Sequence, residues 1–259
     1  MLNYWQPGYE WMGNGLQGHW CPSFAHNQLQ SPDVSGLGNH GQLFNFANNG
    51  NNALVTDNGK GALNFDGVND HVAIGRWRNM ERDYSVSAWI RTTHSAATTA
   101  MIASSYNGGG GAHLMGVNGA NGALYTFDGV NLVEFTAKAL NDGVWHLATI
   151  VRRFGRSMTG FVDGVQVGQN NSTAWTGNAS SLGSGWRFGG TPFFGSQFPG
   201  LLDDLRIYSL ALTAGEVLAT YQADRGGGMG YQPPLRRSYF VPALPSPRRR
   251  SSRALAFPG

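Results

Sequence analysis

The sequence contains little cysteine, little charge and no long apolar segment. Its 259 residues include one cysteine, Cys21, so no disulfide can form within the chain, and the expected role of that thiol is a small buried hydrophobe. Charged residues make up 13% of the chain, about half the usual share. No apolar run is long enough to span a membrane, and no basic segment precedes an apolar one at the start. We therefore expect neither a membrane segment nor a signal peptide.

Acidic residues are too sparse for glycoside hydrolysis. The chain has four glutamates, and no two of them are close in sequence: Glu10, Glu81, Glu134 and Glu216. A retaining glycosidase needs two carboxyl groups about 5 Å apart across the scissile bond. The sequence also lacks a nucleophile elbow, a phosphate-binding loop and zinc-ligand spacing. We expect no enzymatic activity, and Glu134 is interpreted as a solvated acid on a strand.

Glycine and aromatic residues are abundant instead, at 38 glycines and 12% aromatics. Short alternating segments are separated by repeated Asp-Gly and Asn-Gly pairs, which are hairpin-turn signals because glycine accepts a positive φ. About a dozen such strands predict an antiparallel sandwich or jelly roll. One helix is predicted in "LTAGEVLATYQ", where Thr213 and Glu216 form a capping box and Val217, Leu218 and Tyr221 form the apolar stripe.

The two ends differ from the body in composition. Residues 1–15 form an aromatic, glycine-rich arm without periodicity, and residues 16–222 carry the strands and the helix. Residues 223–259 form a Gly/Pro/Arg-rich tail that cannot build a core alone. From residue 226 onward the tail has six arginines and no acid, so the basic charge belongs to the tail and the body is mildly acidic.

Five motifs, taken in order, resemble the concanavalin A-like lectin/glucanase superfamily in its laminin-G-like form. They are "GKGALNFDGVNDHVAIG", "YSVSAWIRT", "DGVWHLATIV", "GFVDGVQVG" and "FPGLLDDLRIYSLALTAGEVLATY". The loop "SGLGNHGQL" fits the same family, with Leu37 in place of an asparagine. The resemblance covers about residues 16–222 and implies an all-β fold, a two-sheet antiparallel jelly-roll sandwich with one short C-terminal helix. Members of the family bind sugars, proteins or calcium, so the fold alone does not give the function.

The segment "GLLDDLRIY" places a carboxylate inside an apolar strand. Strict alternation puts Asp203 on one face with Leu205 and Ile207, which is the core face. The resemblance implies one structural Ca²⁺ at this aspartate, with Asp33, Asp66 and Asp70 as further oxygen donors. The alternative is that Asp203 caps backbone N–H groups at a strand end, since a buried carboxylate needs a partner.

Glycan binding requires aromatic side chains and amide donors on a concave face or its rim. The available aromatics include Trp77, Trp89, Tyr125, Trp145 and Trp186, most of which we expect in the core. Trp175 lies in the polar segment "STAWTGNAS" and is the best candidate for an exposed ligand contact. Tyr106 precedes a glycine-rich loop that can approach a ligand closely, although a hairpin tip explains the same loop.

The two ends and the missing export signal together favour a virion protein, because phage proteins fold in the host cytoplasm and leave by lysis. We interpret the chain as a bacteriophage capsid decoration protein whose sandwich faces outward. Its ends would clamp the major capsid protein or other virion subunits through aromatic and arginine side chains. These partner-binding candidates are Tyr4, Trp5, Trp11, Arg236, Arg237, Tyr239, Phe240, Arg248, Arg249 and Arg250.

Several alternatives stay open at this point. The tail can dock on protein, remain solvated or contact nucleic acid, and nucleic acid is the least favoured of the three. A homotrimer is one arrangement open to a capsid protein. The alternative function is a carbohydrate-binding or adhesion module, either a lectin or a receptor-binding component of a tail fibre.

Overall fold

The computed structural model describes residues 10–22, 30–46, 53–57, 60–75, 82–105, 113–176, 185–191 and 196–225. Two antiparallel sheets of eight strands each face one another, with one short α-helix at the end of the domain. The sequence prediction of an all-β jelly-roll sandwich with one C-terminal helix is confirmed. Within the described residues, no helix is both long and apolar enough to cross a membrane.

The first sheet contains the longest strands. Its order is β14-β13-β12-β7-β16-β5-β4, and β1 also pairs with β16. These strands are β1 Leu16–Trp20, β4 Leu54–Asp57, β5 Lys60–Asp66, β7 Tyr84–Arg91, β12 His146–Arg153, β13 Ser157–Val162, β14 Val165–Asn171 and β16 Pro199–Tyr208. The β13–β14 hairpin turns at Asp163 and Gly164 with φ of 54° and 78°. Two positive φ values in a two-residue loop are what an Asp-Gly hairpin turn requires.

The second sheet has the order β11-β10-β9-β8-β15-β6-β3-β2. Its strands are β2 Gln30–Ser31, β3 Gly41–Phe44, β6 His71–Ile74, β8 Thr99–Ser104, β9 Leu114–Asn118, β10 Leu124–Phe127, β11 Leu132–Phe135 and β15 Trp186–Phe188. The inward-facing side chains of both sheets form one continuous apolar core. It includes Val86 and Ile90 from the first sheet and Met115 and Leu124 from the second.

A β-bulge in β16 corrects the predicted orientation of Asp203. The register with β7 shifts between Asp203 and Arg206, and Asp204 takes a φ of 50°. The core face therefore continues from Leu205 to Leu202 and skips Asp203. Asp203 lies opposite Trp89, which stacks on Tyr221 of the helix. Strict alternation fails here because a bulge inserts one extra residue into the strand.

The helix α1 spans Ala214–Arg225 and begins with the predicted capping box. The backbone N–H and the hydroxyl of Thr213 donate to Glu216 Oε2 at 2.7 and 2.9 Å, and the Glu216 N–H donates to Thr213 Oγ1 at 3.2 Å. Val217 is buried, but Leu218 is 39% exposed, so the predicted stripe is only partly correct. The helix also continues beyond residue 222, the predicted end of the domain.

Two smaller expectations are corrected at the N-terminal side. The predicted arm is not wholly irregular, because Glu10–Gly13 form a 3₁₀-helix, and Met12 in it is buried. Cys21 is half-buried rather than buried, and its thiol donates to Asp203 Oδ1 at 3.9 Å. The thiol is thus placed beside a carboxylate and not in the apolar core.

A histidine between two aspartates fixes the start of β12. His146 Nδ1 lies 2.8 Å from Asp163 Oδ2, and Nε2 lies 3.1 Å from Asp142 Oδ1. Burial opposes the imidazolium charge, but the hydrogen bonds and charges of Asp163 and Asp142 outweigh burial and raise the pKa of His146. A raised pKa in the folded state means that protonation of His146 stabilises the fold.

We predict that this stabilisation is complete below about pH 6.5, the ordinary histidine value, and is lost as the pH rises through the raised pKa. His146→Gln should lower the free energy of unfolding by about 1–2 kcal/mol at pH 6 and by less at pH 8.5, because a smaller fraction of the wild-type side chain is protonated at the higher pH. Denaturant titrations of both proteins at the two pH values measure this difference. Equal losses at pH 6 and pH 8.5 would contradict it.

Candidate functional site

The outer face of the second sheet carries an apolar and aromatic cluster that is separate from the main core. Met101 and Leu114 are buried in it, and Tyr125 and Phe127 pack against them while half-exposed. Tyr125 and Phe127 alternate along β10 with Leu124, which points into the core. Alternation thus gives this strand one face for the fold and one face that partly remains open to solvent.

Tyr125 stands in the middle of a cross-strand row. Glu134 of β11 lies opposite it on one side and Gly116 of β9 on the other, and Met101 lies opposite Gly116. A Cβ at Gly116 would come within 2.6 Å of the Ala100 carbonyl oxygen and 3.1 Å of Met101 Sδ. Only glycine fits at this position, because Met101 and the neighbouring strand already fill the space beside Tyr125.

Glu134 is held in place at the edge of this row. Its Oε1 accepts from Asn118 Nδ2 at 2.7 Å, and its Oε2 accepts from Asn121 Nδ2 at 3.2 Å. Burial, with a smaller contribution from the Glu134 charge, raises the pKa of Tyr125. The phenol therefore stays protonated at neutral pH and keeps a hydroxyl donor beside a fixed carboxylate acceptor.

The arrangement is suited to binding and not to hydrolysis. An aromatic ring next to a few fixed polar groups is the composition of a small-molecule site. Glu134 is the only acidic residue on the eight strands of the second sheet. The two-carboxylate geometry of glycoside hydrolysis is therefore not formed by these strands.

The prediction that Trp175 is an exposed ligand contact is wrong. The other predicted ligand contact, Tyr106, lies outside the described residues. Trp175 is fully buried and belongs to the main core. Its indole N–H donates to Asn170 Oδ1 at 3.2 Å, and its carbonyl oxygen accepts from Arg152 Nη2 at 3.2 Å. The polar neighbours of Trp175 in the sequence form the turn, while the ring itself fills the sandwich.

Asp33 organises the loop "SGLGNHGQL" through its carboxylate. Its Oδ1 accepts from the backbone N–H groups of His19 and Ser35 at 3.0 and 2.9 Å, and its Oδ2 accepts from that of Asn39 at 2.9 Å. Burial alone would raise the pKa of Asp33, but these hydrogen bonds outweigh it and lower the pKa. Asp33 thus has the capping role that the sequence offered as the alternative for Asp203.

Asp66 and Asp70 form a close carboxylate pair in one turn. Asp70 Oδ2 accepts from the Asp66 N–H at 3.0 Å, and Asp66 Oδ1 accepts from the Val68 N–H at 2.7 Å. Asp70 Oδ1 is buried and has no hydrogen-bond partner. Burial raises the pKa of Asp70, and the Asp66 carboxylate adds to this shift against the opposing backbone hydrogen bond.

The four predicted metal ligands do not form one site. Among the described residues, no three His, Cys, Asp or Glu side chains are grouped so that they could hold a metal ion. Asp33 accepts backbone N–H groups of its own loop, and Asp203 lies beside Cys21. Asp66 and Asp70 are in contact with each other. Only this last pair has a carboxylate oxygen in need of a partner.

One of the ten predicted partner-binding residues lies within the described part of the chain. Trp11 lies in the 3₁₀-helix Glu10–Gly13. The remaining nine lie outside the described residues: Tyr4, Trp5, Arg236, Arg237, Tyr239, Phe240, Arg248, Arg249 and Arg250. The residues that sequence reasoning missed are Phe127, Met101 and Leu114, although the alternation in "LYTF" already places Tyr125 and Phe127 on one face.

Comparisons with known proteins agree with this architecture. A laminin G model described as "Concanavalin A-like lectin/glucanases superfamily" matches residues 39–218. No curated protein sequence matches the chain.

Several solved structures have a similar fold. The binding domain of Paraclostridial Mosquitocidal Protein 1 is 14% identical with a TM-score of 0.63, and the match covers 82% of this chain and 53% of that one. Domain 4 of an extracellular arabinanase from Geobacillus stearothermophilus, in complex with arabinotriose, is 18% identical with a TM-score of 0.61, covering 80% and 98%. The botulinum neurotoxin serotype D binding domain is 13% identical with a TM-score of 0.57, covering 82% and 51%. This chain therefore spans about half the length of the two toxin domains.

Proposed function

Because the chain belongs to the concanavalin A-like lectin/glucanase superfamily, we propose that it is a non-catalytic carbohydrate-binding module. Its ligand surface is the outer face of the second sheet around Tyr125. The observation that carries this proposal is the row Glu134, Tyr125, Gly116, in which a half-exposed ring lies between a fixed carboxylate and a glycine that adds no side chain to cover it.

The chemistry of that row fits a sugar. The apolar face of a sugar ring packs on an aromatic ring, and its hydroxyl groups donate to a carboxylate and accept from amides. The arabinanase domain was solved with an oligosaccharide, and the toxin domains are named for binding. These relatives support a binding role over a catalytic one, as does the single acid on the second sheet.

A capsid decoration role remains a second proposal. It is supported by the charge distribution, because the last 34 residues contain six arginines and no acid while the body is mildly acidic. Such a tail is suited to docking on acidic surfaces of virion subunits through bidentate arginine contacts. Glycan binding by the sandwich and particle binding by the tail are compatible with one another.

We also propose that Asp66 and Asp70 hold one structural Ca²⁺. The unpartnered, buried Oδ1 of Asp70 and the repulsion between the two carboxylates are the features that a cation would compensate. Backbone carbonyl groups would complete the ligand set, since Ca²⁺ takes six to eight oxygen ligands. Asp33 and Asp203 are not part of this proposed set.

Tyr125→Ala should weaken glycan binding by about tenfold, because it removes the stacking surface. Tyr125→Phe should keep most of the affinity, since the ring is retained. Phe154→Ala is a matched control. Phe154 is also a partly exposed aromatic residue, at 40% exposure, but it lies in the turn directly after β12 of the first sheet. Calorimetric titration with arabinotriose and with a panel of neutral oligosaccharides measures the effect. Binding that Tyr125→Ala leaves unchanged would refute the assigned surface, and hydrolysis of any oligosaccharide would refute the non-catalytic role.

Calcium at a hundred times its Kd should stabilise the protein by about 2.7 kcal/mol. Asp70→Asn should abolish this gain, and without calcium it should leave the stability unchanged or raise it, because it removes a buried carboxylate from its repulsive neighbour. Asp33→Asn is the contrasting variant, which should destabilise the protein with or without calcium. Thermal unfolding with calcium, magnesium and chelator makes the comparison. A calcium effect that survives Asp70→Asn would place the ion elsewhere.

Deleting residues 226–259 should abolish binding to the virion particle and leave oligosaccharide binding intact. The reason is that the six arginines without an accompanying acid lie in the tail, while the sugar-binding row is on the sandwich. Co-sedimentation with purified particles measures the first property, and calorimetry measures the second. Full occupancy by the truncated protein would contradict a clamping role for the tail.

A further inference from the structure

A groove of about 370 Å³ lies on the outer face of the first sheet, on the side of the sandwich opposite Tyr125. We name it the basic groove. Its rim consists of exposed polar and cationic side chains, which are Arg153, Arg156, Gln166, Gln169 and Asn171. Neither the proposed sugar-binding row nor the proposed calcium pair uses any of these residues.

The register of three neighbouring strands produces the basic groove. Arg153 of β12 lies opposite Ser157 of β13, and Ser157 lies opposite Asn171 of β14. The next row on the same face consists of Val151, Thr159 and Gln169. Side chains from three adjacent strands therefore form a continuous surface, and Arg156 of the β12–β13 turn completes its rim.

The floor of the basic groove is buried and mixed in character. Val151, Phe161 and Leu212 are apolar and at most 3% exposed, and they belong to the small core cluster beneath the start of α1. Ser157 and Thr159 add buried hydroxyl groups between them. A ligand in the groove thus meets an apolar surface below and hydrogen-bonding groups at the sides.

The two arginines of the rim have no acidic partner, unlike Arg91 and Arg206. Arg91 pairs with Asp57 at 2.7 Å, and Arg206 pairs with Asp204 at 2.7 Å. Within the described part of the chain, neither Arg153 nor Arg156 has a carboxylate within ion-pairing distance. No acidic residue lines the basic groove.

A second depression of about 530 Å³ shares Arg153 and Arg156 and adds Arg82. Its one acid, Asp83, accepts the Phe154 N–H at 2.8 Å. Positive charge therefore exceeds negative charge along the whole length of the combined surface, which attracts anions.

We propose that the basic groove binds an acidic sugar unit of a polysaccharide. The guanidinium groups of Arg153 and Arg156 pair with its carboxylate or sulfate, and the amides of Gln166, Gln169 and Asn171 contact its hydroxyl groups. A sugar explains the many amides and the apolar floor better than an acidic peptide or a nucleic acid does. The volume is at the lower end of the range for ligand sites, which fits one or two rings.

The test uses the full chain and four probes: trigalacturonate, a sulfated galactan trisaccharide, neutral galactotriose and hexaglutamate. We expect one of the two acidic sugars to bind, with affinity falling as salt rises. Comparing trigalacturonate with the sulfated sugar tells which anionic group is preferred. Arg153→Gln and Arg156→Gln should each weaken that binding by about tenfold, because each removes a charge-assisted contact.

Lys138→Gln is the matched control, because it removes one positive charge from an exposed residue that does not line the groove. It should change the affinity less than twofold, and the tail arginines contribute equally to every variant. The proposal is overturned if hexaglutamate binds as tightly as the acidic sugars, if Arg153→Gln weakens the binding of neutral galactotriose as much as that of the acidic sugars, if neither acidic sugar binds, or if Lys138→Gln weakens binding as much as Arg153→Gln.

Discussion

The fold depends on how β16 accommodates two consecutive aspartates in the middle of a sheet. This strand pairs with β7, β5 and β1, so it holds together both halves of the first sheet. At the bulge, Asp204 adopts the left-handed φ of 50°, and its carboxylate accepts from Arg206 Nη2 at 2.7 Å and contacts His19 Nε2. Removing one partner from a buried charged pair costs about 3–5 kcal/mol. The left-handed backbone of Asp204 is retained because the buried contacts of its carboxylate with Arg206 and His19 compensate for the strain.

The bulge also determines what covers the first sheet. Once Asp203 is opposite Trp89 on the outer face, Trp89 stacks on Tyr221 at 5.7 Å and anchors α1. The helix start and the segment before it then cover Val151 and Phe161. The strands β12 to β14 extend past this cover, and the basic groove lies where the cover ends. The basic groove is thus a consequence of incomplete packing over a long sheet.

Local signals in the sequence predicted the architecture well. The Asp-Gly pair at residues 163–164 and the capping box at Thr213 depend on neighbouring residues alone, and both appear in the structure. The orientation of Asp203 was wrong because a bulge is stabilised by His19, which lies far away in the sequence. Trp175 was wrong for a related reason. Its polar neighbours indicate a turn, but the direction of the indole ring depends on the core side chains that the two sheets place around it.

The consecutive arginines of β12 show why amino-acid composition does not predict the proposed binding surfaces. Arg152 points inward, where its Nη2 donates to the Trp175 carbonyl oxygen at 3.2 Å and lies 3.8 Å from Asp128 Oδ2. Arg153 points outward and lines the basic groove. Alternation requires that Arg152 and Arg153 point to opposite faces of the sheet, but it does not determine which of them is buried. Asp128, which is fully buried, favours the inward position for Arg152: its Oδ1 accepts the backbone N–H groups of Val130 and Asn131, and its Oδ2 faces the Arg152 guanidinium. The burial of one arginine therefore leaves the other exposed, and the position of an acid in a distant turn determines which residue of the pair can contact a ligand.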